Sequence, residues 1–105
     1  MKRGLSETCY GFFSTLANPT RLAILERLRE RDMSVTELVG ALGQEQSMVS
    51  HNLKQLARCG LVHCQREGKS NIYRLNRETM GAIFKVVEDH AENRCPLGGS
   101  CPDSH

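Results

Sequence analysis

The sequence predicts a mainly α domain carrying one β-hairpin, on three observations. Apolar residues recur at helical spacing in four segments up to Arg58. The period then changes from 3.6 to 2 between Leu61 and Leu75, and helical spacing returns from Arg77 to Asn93. With 105 residues, 39% of them hydrophobic, the chain has material for one small globular domain and no internal repeat.

The first helix runs from Leu5 to Ala17, its stripe made by Leu5, Cys9, Phe12, Phe13 and Leu16. Asn18-Pro19-Thr20 ends it and starts the next. Asn18 is a capping residue, and Pro19 fits the first helical position, where its missing N–H costs nothing. The second helix extends to about Arg31, with Leu22, Leu25 and Leu28 expected inward. Ser34-Val35-Thr36-Glu37 is a capping box that opens a short third helix carrying Leu38, Val39 and Leu42, closed by Gly43. A fourth helix spans about Gln46 to Arg58, with Val49, Leu53 and Leu56 inward and Gly60 as its terminating glycine. Leu61–Arg66 and Ile72–Leu75 read as strands joined by a turn at Gly68-Lys69-Ser70-Asn71. The fifth helix carries Met80, Ile83, Phe84 and Val87 at i, i+3, i+4 and i+7. Residues 1–93 form the expected domain, and residues 94–105, with Gly98-Gly99 and two prolines, a flexible tail containing cysteines.

Charge is unevenly spread. The net charge of +2 divides into 0 over residues 1–47, +5 over residues 48–77 and −3 over residues 78–105. A basic middle segment is a surface for a polyanion or a solvated basic face, and counting alone leaves the two even. The order of elements favours the polyanion. Two short helices joined by a glycine turn, the second rich in small polar residues, form a helix-turn-helix. A helix that enters the major groove must leave its outer face free for bases and phosphates. Gln46, Ser47, Ser50, His51, Lys54 and Gln55 offer that face. The hairpin directly after it makes the motif a winged helix-turn-helix, with Arg66, Lys69 and Asn71 as the wing contacts. The expected partner is double-stranded DNA, bound without a cofactor.

At this point the sequence resembles a known family. Leu16-Ala17-Asn18-Pro19-Thr20-Arg21-Leu22-Ala23-Ile24-Leu25, Val49-Ser50-His51-Asn52-Leu53-Lys54-Gln55-Leu56, Gly60-Leu61-Val62, Arg66-Glu67-Gly68 and Tyr73-Arg74-Leu75 are similar to the arsenic-repressor (ArsR/SmtB) family over about residues 5–93. The resemblance implies a homodimer paired through its first and last helices. It implies a repressor that binds an inverted-repeat operator and releases it when a metal, metalloid or oxidant reaches a sensing site. One family class places Cys-x-Cys at the start of the third helix, where this chain has Ser34-Val35-Thr36. Another holds zinc on the last helix, where only His90 matches and Arg77, Thr79 and Asn93 take the other places.

What remains for sensing is thiols, which suit soft ions such as arsenite, Cd(II), Pb(II), Cu(I) or Zn(II). Cys95 and Cys101 have no packing reason to be cysteine in a polar tail, and five residues between them let both sulfurs close on one ion. Family members with an arsenic site after the last helix carry a third cysteine where this chain has Arg94. Cys59, Cys64 and Cys9 are the further candidate ligands. Cys59 matches one thiol of a cadmium- or lead-binding branch, with Gln55 in place of the other, and its position also suits a small buried residue. Cys9 belongs to an apolar stripe, and Cys64 to a strand. His63, His90 and His105 read as solvated. A thiol redox or persulfide switch on the same scaffold is the alternative, and an interaction module that binds no DNA a further one. No nucleophile–base pair or phosphate-cradling loop points to an enzyme. No apolar run approaches the ~20 residues of a membrane span. With no export signal and an odd five cysteines, a reducing cytoplasm is expected.

Overall fold

The computed structural model describes residues 4–99, which fall into two compact units meeting in sequence at Leu75 and Asn76. The first holds α1 (Leu5–Leu16), α2 (Pro19–Glu30), β1 (Met33–Ser34), α3 (Val35–Leu42), α4 (Gln46–Arg58), β2 (Val62–Glu67) and β3 (Ser70–Leu75). The second opens on a wide π-turn over Arg77–Gly81 and continues as α5 (Ala82–Asn93). The helix order, the hairpin and its place before the last helix are as the sequence predicts. Among the described residues no helix is long and apolar enough to cross a membrane.

Local signals set the boundaries. The Asn18 side chain accepts from the Arg21 N–H at 3.0 Å, capping α2 behind Pro19. Both halves of the capping box form at α3: the Glu37 N–H donates to Ser34 Oγ at 3.1 Å and the Ser34 N–H to Glu37 Oε1 at 3.0 Å. Gly43 closes α3. At the end of α4 the Leu61 N–H donates to the Leu56 carbonyl at 2.9 Å and the Gly60 N–H to the Ala57 carbonyl at 3.0 Å. This pair of hydrogen bonds is the Schellman arrangement, and it requires the left-handed backbone that Gly60 adopts at φ +74°. The same turn aims Leu61 and Val62 into the core, where both are about 1% exposed.

The core of the first unit is built from Ile24, Leu25 and Leu28 of α2, Leu38 of α3, and Val49, Leu53 and Leu56 of α4, all fully buried. Leu22, expected inward, is 42% exposed. The buried face of α2 runs through positions 21, 24, 25 and 28, spaced i, i+3, i+4 and i+7, so Leu22 falls beside it and Arg21 on it.

The sheet has three strands, not two. The short β1 adds to the outer side of β3, pairing Met33 with Tyr73 and Ser34 with Ile72. Two residues between helices give too little periodicity to be seen in a sequence. The hairpin is also tighter than expected, because Glu67 pairs with Ser70 and only Gly68 and Lys69 form the loop. A two-residue hairpin needs positive φ at its first loop position, and Gly68 supplies it at +62°. Asn71 therefore lies on β3 opposite Arg66 rather than in the turn.

The two terminal helices keep part of their apolar faces open in the single chain. Leu5, Tyr10 and Phe13 of α1 are 79%, 77% and 58% exposed, and Val86 and Val87 of α5 are 67% and 57% exposed. Met80 is buried, and Ile83 and Phe84 half-buried.

Candidate nucleic-acid interface

The buried residues of α4 leave its opposite face to solvent. Gln46, Ser47, His51 and Lys54 are exposed, and Ser50 and Gln55 half-buried. Arg58, four residues beyond Lys54, extends the same face and is exposed; its i+4 and i+7 spacing from Lys54 and His51 already marked it in the sequence.

The hairpin stands against this helix across a polar cleft of about 370 Å³. Gln46, Ser50 and Lys54 line it from α4, Lys69, Ser70 and Asn71 from the wing, and Thr36 from the start of α3. Recognition-helix and wing residues 15 or more positions apart in sequence thus face one concavity carrying two ammonium groups. Ser47, His51 and Gln55 are not among its lining residues. Arg66 is exposed on the wing, its Nε donating to the Gly68 carbonyl at 3.2 Å. Not every cation of the basic segment is directed here: Arg74 stands 3.6 Å from the Asp32 carboxylate. Two lysines on adjoining elements, separated by small hydroxyl and amide side chains, can hold one run of phosphates while the helix face between them stays open to base edges.

A second set of polar groups holds α4 from behind. Asn52 is only 7% exposed. Its Oδ1 accepts from Arg21 Nε at 3.0 Å, and its Nδ2 donates to the Met48 carbonyl at 3.0 Å. Arg21 Nη1 also donates to the Thr15 carbonyl, at 3.2 Å, near the end of α1. Neither residue belongs to the polar face that the sequence predicts for α4. An asparagine between Val49, Leu53 and Leu56 on the core-facing side was the available signal.

The described cysteines lie on different elements. Cys9 is half-buried on α1. Cys59 is exposed at the C-cap of α4, with its Sγ 3.8 Å from Thr15 Oγ1. It is not the small buried residue its position suggested, because Leu56 and Leu61 fill the core on either side of the helix end. Cys64 is exposed on β2 opposite Tyr73, whose hydroxyl pKa is raised by burial and by the Cys64 thiol. Cys95, after α5, is half-buried, and its N–H donates to the His90 carbonyl at 2.7 Å. Cys101 and His105 lie outside the described residues. Among the described residues no three His, Cys, Asp or Glu side chains gather where they could hold a metal ion.

Residues 18–63, from the α2 cap to the first residues of the wing, match the sequence pattern described as bacterial regulatory protein, arsR family. Over 77 residues, 72% of this chain, the sequence is 48% identical to the HTH-type transcriptional regulator Rv0081 of Mycobacterium tuberculosis. The chain belongs to the ArsR family of bacterial transcriptional regulators. The HTH-type transcriptional repressor SmtB of M. tuberculosis is 47% identical over 76 residues, again 72% of this chain. The chain spans 68% of the length of Rv0081 and 56% of that of SmtB. The crystal structure of Rv0081 superposes with a TM-score of 0.72 at 37% identity, covering 89% of this chain and 98% of that one. The homodimeric winged helix-turn-helix DNA-binding domain Mb0332 of Mycobacterium bovis, solved by solution NMR, superposes with a TM-score of 0.73 at 31% identity, covering 86% and 87% of the two chains. The winged helix-turn-helix named for Mb0332 is the architecture described above.

Proposed function

We propose that this ArsR-family chain is a homodimeric transcriptional repressor of double-stranded operator DNA, with α4 in the major groove and the β2–β3 wing on the flanking backbone. The observation that carries the reading is the shared polar cleft, in which Lys54 of α4 and Lys69 of the wing stand over the same concavity. The open apolar residues of α1 and α5 support a dimer, as does the homodimer named for Mb0332. Repression is supported by the likeness to the SmtB repressor. A two-fold dimer presents two copies of α4, so its operator is an inverted repeat with half-sites about one helical turn, ~34 Å, apart. Selection from a random-sequence duplex pool tests this: the expected product is such a repeat. Binding to no duplex at low salt would overturn it.

The signal is read from the thiols. Cys95 and Cys101 supply two sulfurs from one short segment for a soft metal or metalloid ion, with Cys9, Cys59 or Cys64 as candidates for a further ligand. No coordination sphere is assembled among the described residues, and release follows from linkage between inducer and DNA. An inducer that prefers the free dimer lowers DNA affinity by that same preference, typically ~5–150-fold. A disulfide between Cys95 and Cys101 needs only these two sulfurs, and this favours an oxidant as the second reading. A cytoplasmic location fits this reading, because thiols there start reduced.

A further inference from the structure

We propose that Arg21 and Asn52 are specificity-positioning residues: their buried hydrogen bond fixes the roll of α4 about its own axis, and so decides which side chains meet the bases. The inference rests on the reading of α4 as the base-reading helix. Val49, Leu53 and Leu56 anchor α4 by apolar packing, which is non-directional and restrains distance more than rotation. The Arg21 Nε to Asn52 Oδ1 bond, at 3.0 Å, is directional. Its polarity is fixed as well. Guanidinium only donates, so Asn52 must turn its oxygen to Arg21, and its Nδ2 is already used on the Met48 carbonyl.

Arg21 is in turn held at both ends. The Asn18 side chain caps its backbone N–H at 3.0 Å, and its Nη1 reaches the Thr15 carbonyl at 3.2 Å, one of the last-turn carbonyls of α1 that lack a helical partner. Asn52 therefore bonds to a donor clamped between the end of α1 and the start of α2. Ser47, Ser50, His51 and Lys54 leave α4 on faces other than that of Asn52, so any roll permitted at Asn52 appears at their tips. On a helix of ~5 Å radius a roll of 20° carries a tip through about 2 Å, more than a hydrogen bond to a base edge tolerates. Phosphate contacts through long, flexible lysines adjust to such a shift. The positioning role thus separates specificity from general affinity.

The test replaces both partners together, as Arg21→Met with Asn52→Leu, so that neither member of the pair is left facing an unpaired polar group; the Thr15 carbonyl at the end of α1 gives up its Arg21 donor. The parent first selects its preferred duplex from a random pool. Parent and variant are then measured by anisotropy on that duplex and on a scrambled duplex of equal composition, across a salt series. The expected result is a preference for the selected duplex reduced about tenfold, with unchanged binding to the scrambled duplex and an unchanged salt slope. Arg21→Lys, which keeps the charge and reaches one partner at a time, is the companion should the double variant not fold. It is expected to lose about threefold in the same ratio, at equal salt slope. A parental ratio in the folded double variant, or in Arg21→Lys if the double variant does not fold, overturns the positioning role. Equal losses on both duplexes overturn it too. A parent that binds neither duplex removes the base-reading function of α4, and the proposal with it.

Discussion

At the scale of single residues, short-range chemistry does most of what can be checked. Glu37 accepts from the Ser34 N–H and from Arg31 Nη1 at 2.8 Å, and these two bonds hold its carboxyl below the usual 4.5. A carboxyl whose folded pKa is lowered stabilises the fold fully above its unfolded value, and that contribution is lost as the pH falls through the lowered folded value. Glu37→Gln is therefore expected to melt below the parent at neutral pH, with the gap closing as the pH drops below 4.5. Thermal melts of both proteins from pH 7 to pH 3 measure it, and a gap constant across that range contradicts the assignment. Such contacts were legible in advance, since Ser34 with Glu37 and Asn18 with Pro19 are complete signals within four residues. The bond between Arg21 and Asn52 was not legible, because 31 positions separate them and neither residue type announces its partner.

At the scale of elements, substitutions in the wing are expected to separate binding from folding. Arg66 and Lys69 are exposed at a tight hairpin, and neither forms an ion pair among the described residues. Replacing both with Ala is expected to change stability by no more than ~0.5 kcal/mol while weakening all DNA sequences alike, because cations at a hairpin tip meet phosphate. Equal affinity of parent and double variant across a salt series would show that the wing does not touch DNA. The helices were the legible elements, since each carries its own periodicity and caps. The third strand was hidden because β1 has two residues and exists only by pairing with β3, 38 or more positions away. The tight hairpin was hidden because Ser70 and Asn71, good turn formers, were drawn into β3 by their partners Glu67 and Arg66.

For the molecule as a whole, what is to be explained is regulation. Cys95→Ser and Cys101→Ser are each expected to leave DNA binding intact and to abolish release by arsenite or Cd(II), if those two sulfurs receive the signal. The readout is DNA occupancy during inducer titration, with peroxide as a parallel titrant. A double variant that still releases DNA at the parental inducer concentration removes the tail from the sensing role. This part of the candidate site was the least legible. A thiol site is made by side chains that converge in space, and five cysteines spread from position 9 to position 101 do not disclose which of them meet. The exposed polar face of α4 and the cleft it shares with the wing were easier to anticipate, because their residues follow one another along a single helix and the next hairpin.

Lys54 and Lys69 line one cleft, and the proposed function has them hold phosphates on either side of it. The slope of log affinity against log salt for the parent, Lys54→Ala and Lys69→Ala on the selected duplex tests it most directly. Each lost phosphate contact removes one released counterion, so each substitution is expected to lower the slope by about one per protomer. Affinity would fall on selected and scrambled duplexes alike. A parental slope in both variants would show that neither lysine meets a phosphate.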